Sequence, residues 1–97
     1  MGKKSRDKGA RLEREVVALL KNSGRKARRT APLQTYEPNN EPDIDSDGLR
    51  IEVKGRRNGF IQIYEWLEGN DWLVLKANGK PFLVVKKLED ELESLLR

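Results

Sequence analysis

The 97-residue chain contains no cysteine and no histidine. Without cysteine there is no disulfide scaffold, no thiolate zinc site and no cysteine nucleophile. Without histidine there is no histidine general base, no serine–histidine triad and no histidine-ligated metal. Any catalysis by this chain must therefore use carboxylates, lysine, hydroxyls and bound ions.

Long apolar runs are also missing. Hydrophobic residues make up 36% of the chain and charged residues 37%, and no run approaches the roughly 20 apolar residues that a membrane span needs. No apolar segment follows the basic N-terminus, as it would in a secretory signal. We expect a cytoplasmic protein without a membrane partner, built as one domain over residues 1–97 with a flexible basic arm at residues 1–7.

Positive charge is concentrated at the N-terminal end. Residues 1–30 carry eleven Lys and Arg against three acids, whereas residues 31–97 carry nine against thirteen. This asymmetry favours a polyanionic partner, and nucleic acid is the usual one because phosphate neutralisation releases counterions. For the basic residues at the N-terminal end, the alternative is a solubilising tail. For Arg56 and Arg57 the alternative is a solvated loop. The candidate nucleic-acid contacts are Lys3, Lys4, Arg6, Lys8, Arg25, Arg28, Arg29, Arg56 and Arg57.

Apolar spacing and turn residues predict the order α-β-β-β-α-β-β-α. Apolar residues at helical spacing predict a helix from about Lys8 to Asn22 and another at the C-terminal end, while strict alternation predicts a strand from Leu49 to Lys54. Between the first helix and that strand, residues 32–42 form an aperiodic loop of the kind that is often functional. We expect an α/β fold with a single mixed β-sheet flanked by helices. Four apolar residues are expected in the core or in a dimer interface: Trp66, Leu67, Trp72 and Phe82.

Three residues on the second and third predicted strands indicate metal chemistry. Glu52 and Lys54 are two apart on a strand and share a face, and the turn at residues 45–48 folds Asp43 back toward Glu52. Two close carboxylates repel each other until a divalent cation binds between them, and oxygen ligands suit Mg²⁺ or Mn²⁺. The Val53 carbonyl is a further candidate ligand. An ordinary surface strand with alternating Glu and Lys is the alternative.

The first helix offers a third carboxylate. Glu13 and Glu15 lie on opposite edges of its apolar stripe, so helical geometry does not choose between them. A surface glutamate paired with an arginine is the alternative for either one.

These motifs resemble the PD-(D/E)XK nuclease superfamily. Pro42-Asp43 and Glu52-Val53-Lys54 match its two half-motifs, and the segment Gly9–Glu15 looks like the start of archaeal and phage Holliday junction resolvases. The resemblance covers about residues 8–57. It implies a restriction-endonuclease-like core and Mg²⁺-dependent cleavage of DNA, with Mn²⁺ as a substitute.

The resemblance also assigns roles. Asp43 and Glu52 would bind the metal, Lys54 would be the catalytic lysine, and Glu13 would reach the metal directly or through water. Arg29 matches a basic residue that precedes the substrate loop, and Gln62 corresponds to a glutamine that related nucleases sometimes use.

A four-way junction or other branched DNA is the implied substrate, in a bacterial, archaeal or phage-infected cell. Symmetric cutting of two strands requires two sites, which predicts a homodimer. The alternatives are a nickase or less specific DNA nuclease on the same fold, and a non-catalytic nucleic-acid-binding protein with a vestigial site.

Overall fold

The computed structural model describes residues 3–30 and 42–95. The predicted order of elements and the mixed α/β class are confirmed. Apart from residue 42, the predicted loop at residues 32–42 lies outside the described part. The elements are α1 (Lys3–Asn22), β1 (Arg28–Arg29), β2 (Ile44–Ser46), β3 (Leu49–Ile51), α2 (Ile61–Leu67), β4 (Leu73–Leu75), β5 (Leu83–Val85) and α3 (Leu88–Leu95).

Helix α1 begins five residues before its expected start. Residues 3–7 of the expected flexible arm are helical, which fits the high helix propensity of Lys and Arg. Residues 1–2 lie outside the described part. The helix ends as its sequence predicts: Gly24 has a φ of 98°, and the N–H groups of Gly24 and Arg25 donate to the carbonyls of Lys21 and Leu20, each at 3.0 Å. These two hydrogen bonds form a Schellman cap.

The chain divides into two compact units, of which the first spans residues 1–55. Its three strands form an antiparallel sheet in the order β1-β2-β3, and α1 packs against β1 and β2. The most buried side chains of this unit are Leu20 on α1 and Ile44 and Ser46 on β2. Alternation along β2 therefore directs residues 44 and 46 toward the helix, and its other residues to the opposite face.

The second unit spans residues 56–97. Its β4 and β5 pair antiparallel, with Val74 opposite Val84, and its buried apolar residues are Leu67 and Leu92. Leu67 thus occupies a core position, as expected. The other three residues expected in a core or dimer interface are exposed: Trp66, Trp72 and Phe82.

Strand pairing differs from the expected single mixed sheet. Within the described residues the strands form two antiparallel sheets, one in each unit. Neighbouring strands such as β2–β3 and β4–β5 are joined by short connections. Such connections allow antiparallel pairing but are too short for the crossover that parallel strands need. The expectation of one domain over residues 1–97 stays a prediction. No helix in the described part of the chain has the length and apolarity needed to cross a membrane.

Candidate active site

The candidate site is built on the β2–β3 hairpin. Asp47 and Gly48 form its two-residue turn, with φ of 53° and 87°, the left-handed pair that defines a type I′ turn. The turn sets Ser46 opposite Leu49. The Gly48 N–H also donates to Asp45 Oδ1 at 3.1 Å. Local turn chemistry therefore fixes the register of the whole hairpin.

Two of the predicted metal ligands directly follow the paired part of the hairpin. Ile44 pairs with Ile51 at the end of the ladder, and Asp43 and Glu52 are the next residues of the two chains. Opposite residues of antiparallel strands have Cβ atoms about 4.5–5.5 Å apart and lie on the same face. The hairpin register is therefore compatible with adjacent carboxylates at residues 43 and 52, and that adjacency stays a prediction.

Asp43 is held from both sides. Its Oδ2 accepts the Val53 N–H at 2.8 Å, and its backbone carbonyl accepts the Thr30 N–H at 3.1 Å. If the pairing of β2 with β3 continued, Val53 would lie opposite Pro42. The Pro42 carbonyl instead accepts the Thr30 hydroxyl. Because the Asp43 side chain takes the Val53 N–H, β3 ends at Ile51, three residues before its expected end at Lys54.

Glu52 and Lys54 lie on the same side of the chain, as alternation predicted. The Lys54 Nζ is 3.1 Å from Glu52 Oε2, and the two side chains are 59% and 53% exposed. An ion pair this exposed contributes about 0–1 kcal/mol. Both groups can therefore change partner at little cost.

Glu13 lies on the face of α1 that packs on the sheet. Its Oε1 accepts the Arg29 Nε–H at 3.0 Å, and its side chain is only 18% exposed. Glu15 is 62% exposed and lies 3.9 Å from Arg11 on the same helix. Tertiary packing thus distinguishes the two glutamates that helical spacing left equivalent, and it pairs Glu13 with the arginine that was singled out in the sequence.

The donor set fits a hard divalent cation in part. Asp43, Glu52 and the Val53 carbonyl offer oxygen atoms only, which is the chemistry that Mg²⁺ and Mn²⁺ prefer. Over residues 3–30 and 42–95, however, no three acidic side chains form a group that could hold a metal ion. Glu13 is directed to Arg29. Within the described residues Glu13 is therefore not grouped with both Asp43 and Glu52.

Arg25 stabilises the β2–β3 hairpin through hydrogen bonds to Ser46. Its Nε–H donates to Ser46 Oγ and its terminal N–H to the Ser46 carbonyl, both at 2.9 Å. Ser46 Oγ in turn donates to the Lys26 carbonyl at 2.7 Å. The fully buried Ser46 hydroxyl is thereby satisfied. We interpret Arg25 as a structural residue of the turn, although the sequence placed it among the nucleic-acid contacts.

The other basic candidates lie on the surface or at the start of α1. Arg28 is 70% exposed and 3.6 Å from Asp45, and Lys8, Arg56 and Arg57 are exposed. The first turns of α1 carry three further candidates, namely Lys3, Lys4 and Arg6.

Gln62 lies on α2 in the second unit, where its amide donates to Glu65 Oε1 at 3.4 Å.

Two residues that the sequence did not single out contribute to the first unit. Thr30 binds both carbonyls beside Asp43. At Gly55 an added Cβ would overlap Leu12 Cδ1 of α1. No sequence signal marks Thr30, whereas a glycine directly after a candidate lysine motif is a signal for close approach of the backbone.

A family model described as archaeal Holliday junction resolvase (Hjc) matches residues 4–96. No curated protein and no solved structure gives a significant match.

Proposed function

Since this chain belongs to the archaeal Holliday junction resolvase family, and is therefore a nuclease that acts on DNA, we propose that it is a divalent-metal-dependent endonuclease that hydrolyses phosphodiester bonds in four-way junctions. One observation in the fold supports this proposed activity in addition to family membership. Asp43 and Glu52 directly follow the Ile44–Ile51 pair of the hairpin, and the Lys54 ammonium lies 3.1 Å from the Glu52 carboxylate.

The residues of the hairpin supply the binding groups. Asp43, Glu52 and the Val53 carbonyl would hold Mg²⁺, with Mn²⁺ as a substitute. A cation bound there supplies a water of lowered pKa and neutralises charge that develops on the phosphorus oxygens. Lys54 leaves Glu52 and contacts the attacking water or the scissile phosphate, where its positive charge is stabilising in the transition state.

Glu13 and Arg29 separate when substrate binds. A DNA phosphate offers Arg29 a bidentate partner, which the guanidinium geometry favours. Glu13 is then available to the cation, directly or through water. Two ion pairs are therefore exchanged, Glu13–Arg29 and Glu52–Lys54. The cation binds the acidic member of each pair, and the phosphate binds the basic member.

Backbone phosphates provide the main contacts with the substrate. The basic candidates other than Arg25 bind phosphates without reading bases. Two strands cut symmetrically require two copies of the site, so we propose a homodimer. The exposed apolar side chains of the second unit supply a contact surface of suitable chemistry: Tyr64, Trp66, Trp72 and Phe82. The proposed location is the cytoplasm.

Two isosteric variants test the site. Asp43→Asn keeps an oxygen that can accept the Val53 N–H, and Glu52→Gln keeps the side-chain shape, but each removes a charge that the cation needs. We expect both variants to bind a four-way junction and to lose Mg²⁺-dependent cleavage. Glu15→Gln is the matched control and should cleave normally. Cleavage that survives in either hairpin variant would show that the site is elsewhere.

A nuclease with broader specificity is distinguished by its substrates. Cleavage rates are compared on a four-way junction, a nicked duplex and a linear duplex of the same sequence. We expect the junction to be cut fastest. Equal rates on all three would replace the resolvase proposal with a nickase or a less specific nuclease on the same fold.

One observation favours a second function of another class. In the described residues no three acids group to hold a metal, and both Glu13 and Glu52 pair with cations of their own chain. A nucleic-acid-binding protein with a vestigial site would have these features. It would bind junctions but show no cleavage at any concentration of Mg²⁺ or Mn²⁺.

A further inference from the structure

Thr30 makes two hydrogen bonds to the residues of the Pro42-Asp43 half-motif. It is half-buried and follows β1 directly. Its N–H donates to the Asp43 carbonyl at 3.1 Å, and its hydroxyl donates to the Pro42 carbonyl. The two carbonyls belong to the two peptide groups that flank the Asp43 α-carbon.

This arrangement determines the direction of the Asp43 side chain. The backbone angles φ and ψ of Asp43 describe how its two flanking peptide planes are rotated about the α-carbon. Both planes are bonded to the same residue, Thr30, so their relative rotation is restricted. The Cα–Cβ bond of Asp43 has a fixed direction as a result.

A third hydrogen bond then orients the carboxylate itself. Asp43 Oδ2 accepts the Val53 N–H at 2.8 Å. With the backbone held by Thr30 and the carboxylate held by Val53, Asp43 is aligned before any cation binds. A preorganised ligand loses less conformational freedom on binding and therefore binds more tightly.

We infer that Thr30 is a positioning residue for the metal site: its hydroxyl and N–H fix both peptide groups around Asp43 so that the carboxylate is presented to the divalent cation. This inference rests on the proposed function. Thr30 itself touches neither cation nor substrate in this role. It acts through Asp43, as the residues that hydrogen-bond a ligating carboxylate do in metal sites generally.

Three variants test the inference. Thr30→Val removes the hydroxyl donor, keeps the branched shape and keeps the N–H. Thr30→Ser restores the hydroxyl without the methyl group. Ser23→Ala is the matched control, because Ser23 Oγ also donates to a backbone carbonyl, that of Leu20 at 2.7 Å, in the same unit but at the end of α1.

Mn²⁺ binding is measured without DNA, from the electron paramagnetic resonance signal of the free ion, on the full-length chain. Junction affinity without metal and unfolding in urea are measured in parallel. We expect Thr30→Val to raise the Kd for Mn²⁺ roughly 10- to 100-fold, the usual effect of losing a group that orients a metal ligand. Junction affinity should stay at the wild-type value. Thr30→Ser and Ser23→Ala should bind Mn²⁺ as the wild type does.

Several results would overturn the inference. These are a Kd for Mn²⁺ that is unchanged in Thr30→Val, a Thr30→Ser variant as weak as Thr30→Val, or a Ser23→Ala variant that loses as much affinity. A Thr30→Val chain that fails to fold while Ser23→Ala folds would assign the hydroxyl a structural role and overturn it too.

The same measurements separate this inference from the proposed function. A wild-type chain that binds Mn²⁺ and cleaves junctions, with an unchanged Thr30→Val variant, refutes the role of Thr30 alone. A wild-type chain that neither binds Mn²⁺ nor cleaves DNA refutes the metal-dependent nuclease, and the role of Thr30 with it.

Discussion

A methyl group added at Gly55 tests the packing beside the candidate site. Gly55 follows Lys54, and its α-carbon lies close to Leu12 of α1. An ideal Cβ at Gly55 would overlap Leu12 Cδ1 and lie 3.9 Å from both Leu12 Cγ and Lys8 Cε. In Gly55→Ala, either Leu12 must rotate or the backbone after Lys54 must move away from the helix.

The expected cost combines two opposing effects. Forcing an extra carbon into a packed position costs about 1–3 kcal/mol. Replacing a glycine reduces the freedom of the unfolded chain and offsets about 0.4–1 kcal/mol of that. Leu12 Cδ1 is the end of a side chain that can rotate, which keeps the overlap cost at about 2 kcal/mol, below the upper bound. We expect a net loss of about 1 kcal/mol, which lowers Tm by roughly 4–8 °C in a chain of this size.

Thermal and urea unfolding of a small set of variants measure this loss. Gly9→Ala is the matched control, since Gly9 lies within α1 and a Cβ there meets nothing within 4 Å. That change should stabilise the protein by about 0.5–1 kcal/mol. In a Leu12→Ala background the overlap is gone, so Gly55→Ala should no longer destabilise.

Two results would refute the reasoning. If Gly55→Ala costs the same with and without the Leu12 side chain, the double-mutant cycle shows no coupling and the contact is not the cause. If Gly55→Ala raises Tm as Gly9→Ala does, the close approach to α1 does not exist in solution.

Three further predictions concern the network under the hairpin and the ion pairs at the site. Ser46→Ala removes a fully buried hydroxyl that accepts the Arg25 Nε–H, and should lower the free energy of unfolding by about 2 kcal/mol; urea unfolding with a change under 0.5 kcal/mol would argue against it. Glu13→Gln should reduce junction cleavage roughly 10- to 100-fold while Glu15→Gln leaves it unchanged, and equal effects would remove the distinction between the two. Finally, cation and DNA should each tighten binding of the other, because they exchange partners within shared ion pairs; junction affinity measured with and without Ca²⁺ checks this, and an identical Kd would contradict it.

The proposed partner exchange would explain how acidic residues lie beside DNA. Glu13 and Glu52 would repel phosphates if they stood alone. Each is within about 3 Å of a cationic side chain, Arg29 at 3.0 Å and Lys54 at 3.1 Å. Without a metal, the charge of each glutamate is therefore balanced by that of its cationic partner. In the proposed mechanism a divalent cation would make the site positive where the phosphate would bind.

Local sequence signals predicted the elements well because each signal acts within a few residues. The apolar stripe on α1, the glycine at position 24 and the turn at residues 45–48 depend on near neighbours only. The same holds for the sharing of a face by Glu52 and Lys54. The end of β3 was predicted three residues too late, because alternation does not reveal that the Asp43 side chain takes the Val53 N–H.

Contacts between distant segments were beyond the reach of the sequence. Spacing on α1 left Glu13 and Glu15 equivalent, and only the packing of α1 on β1 brings Glu13 to Arg29. The same packing turns Arg25 inward to Ser46. The role of Thr30 depends on β1 lying beside β2, which no local pattern predicts.

By itself the sequence determined the chemistry that is available: oxygen ligands and lysine without histidine or cysteine, a basic N-terminal region, and a hairpin whose tight turn sets the register of β2 and β3. These follow from composition and from interactions between residues close along the chain. The tertiary structure decided which glutamate faces the sheet, which arginines pair inside the protein and what holds Asp43 in place. Those outcomes depend on how α1 and three strands fit together, and side-chain packing between distant segments is a property of the folded volume that spacing along the chain does not encode.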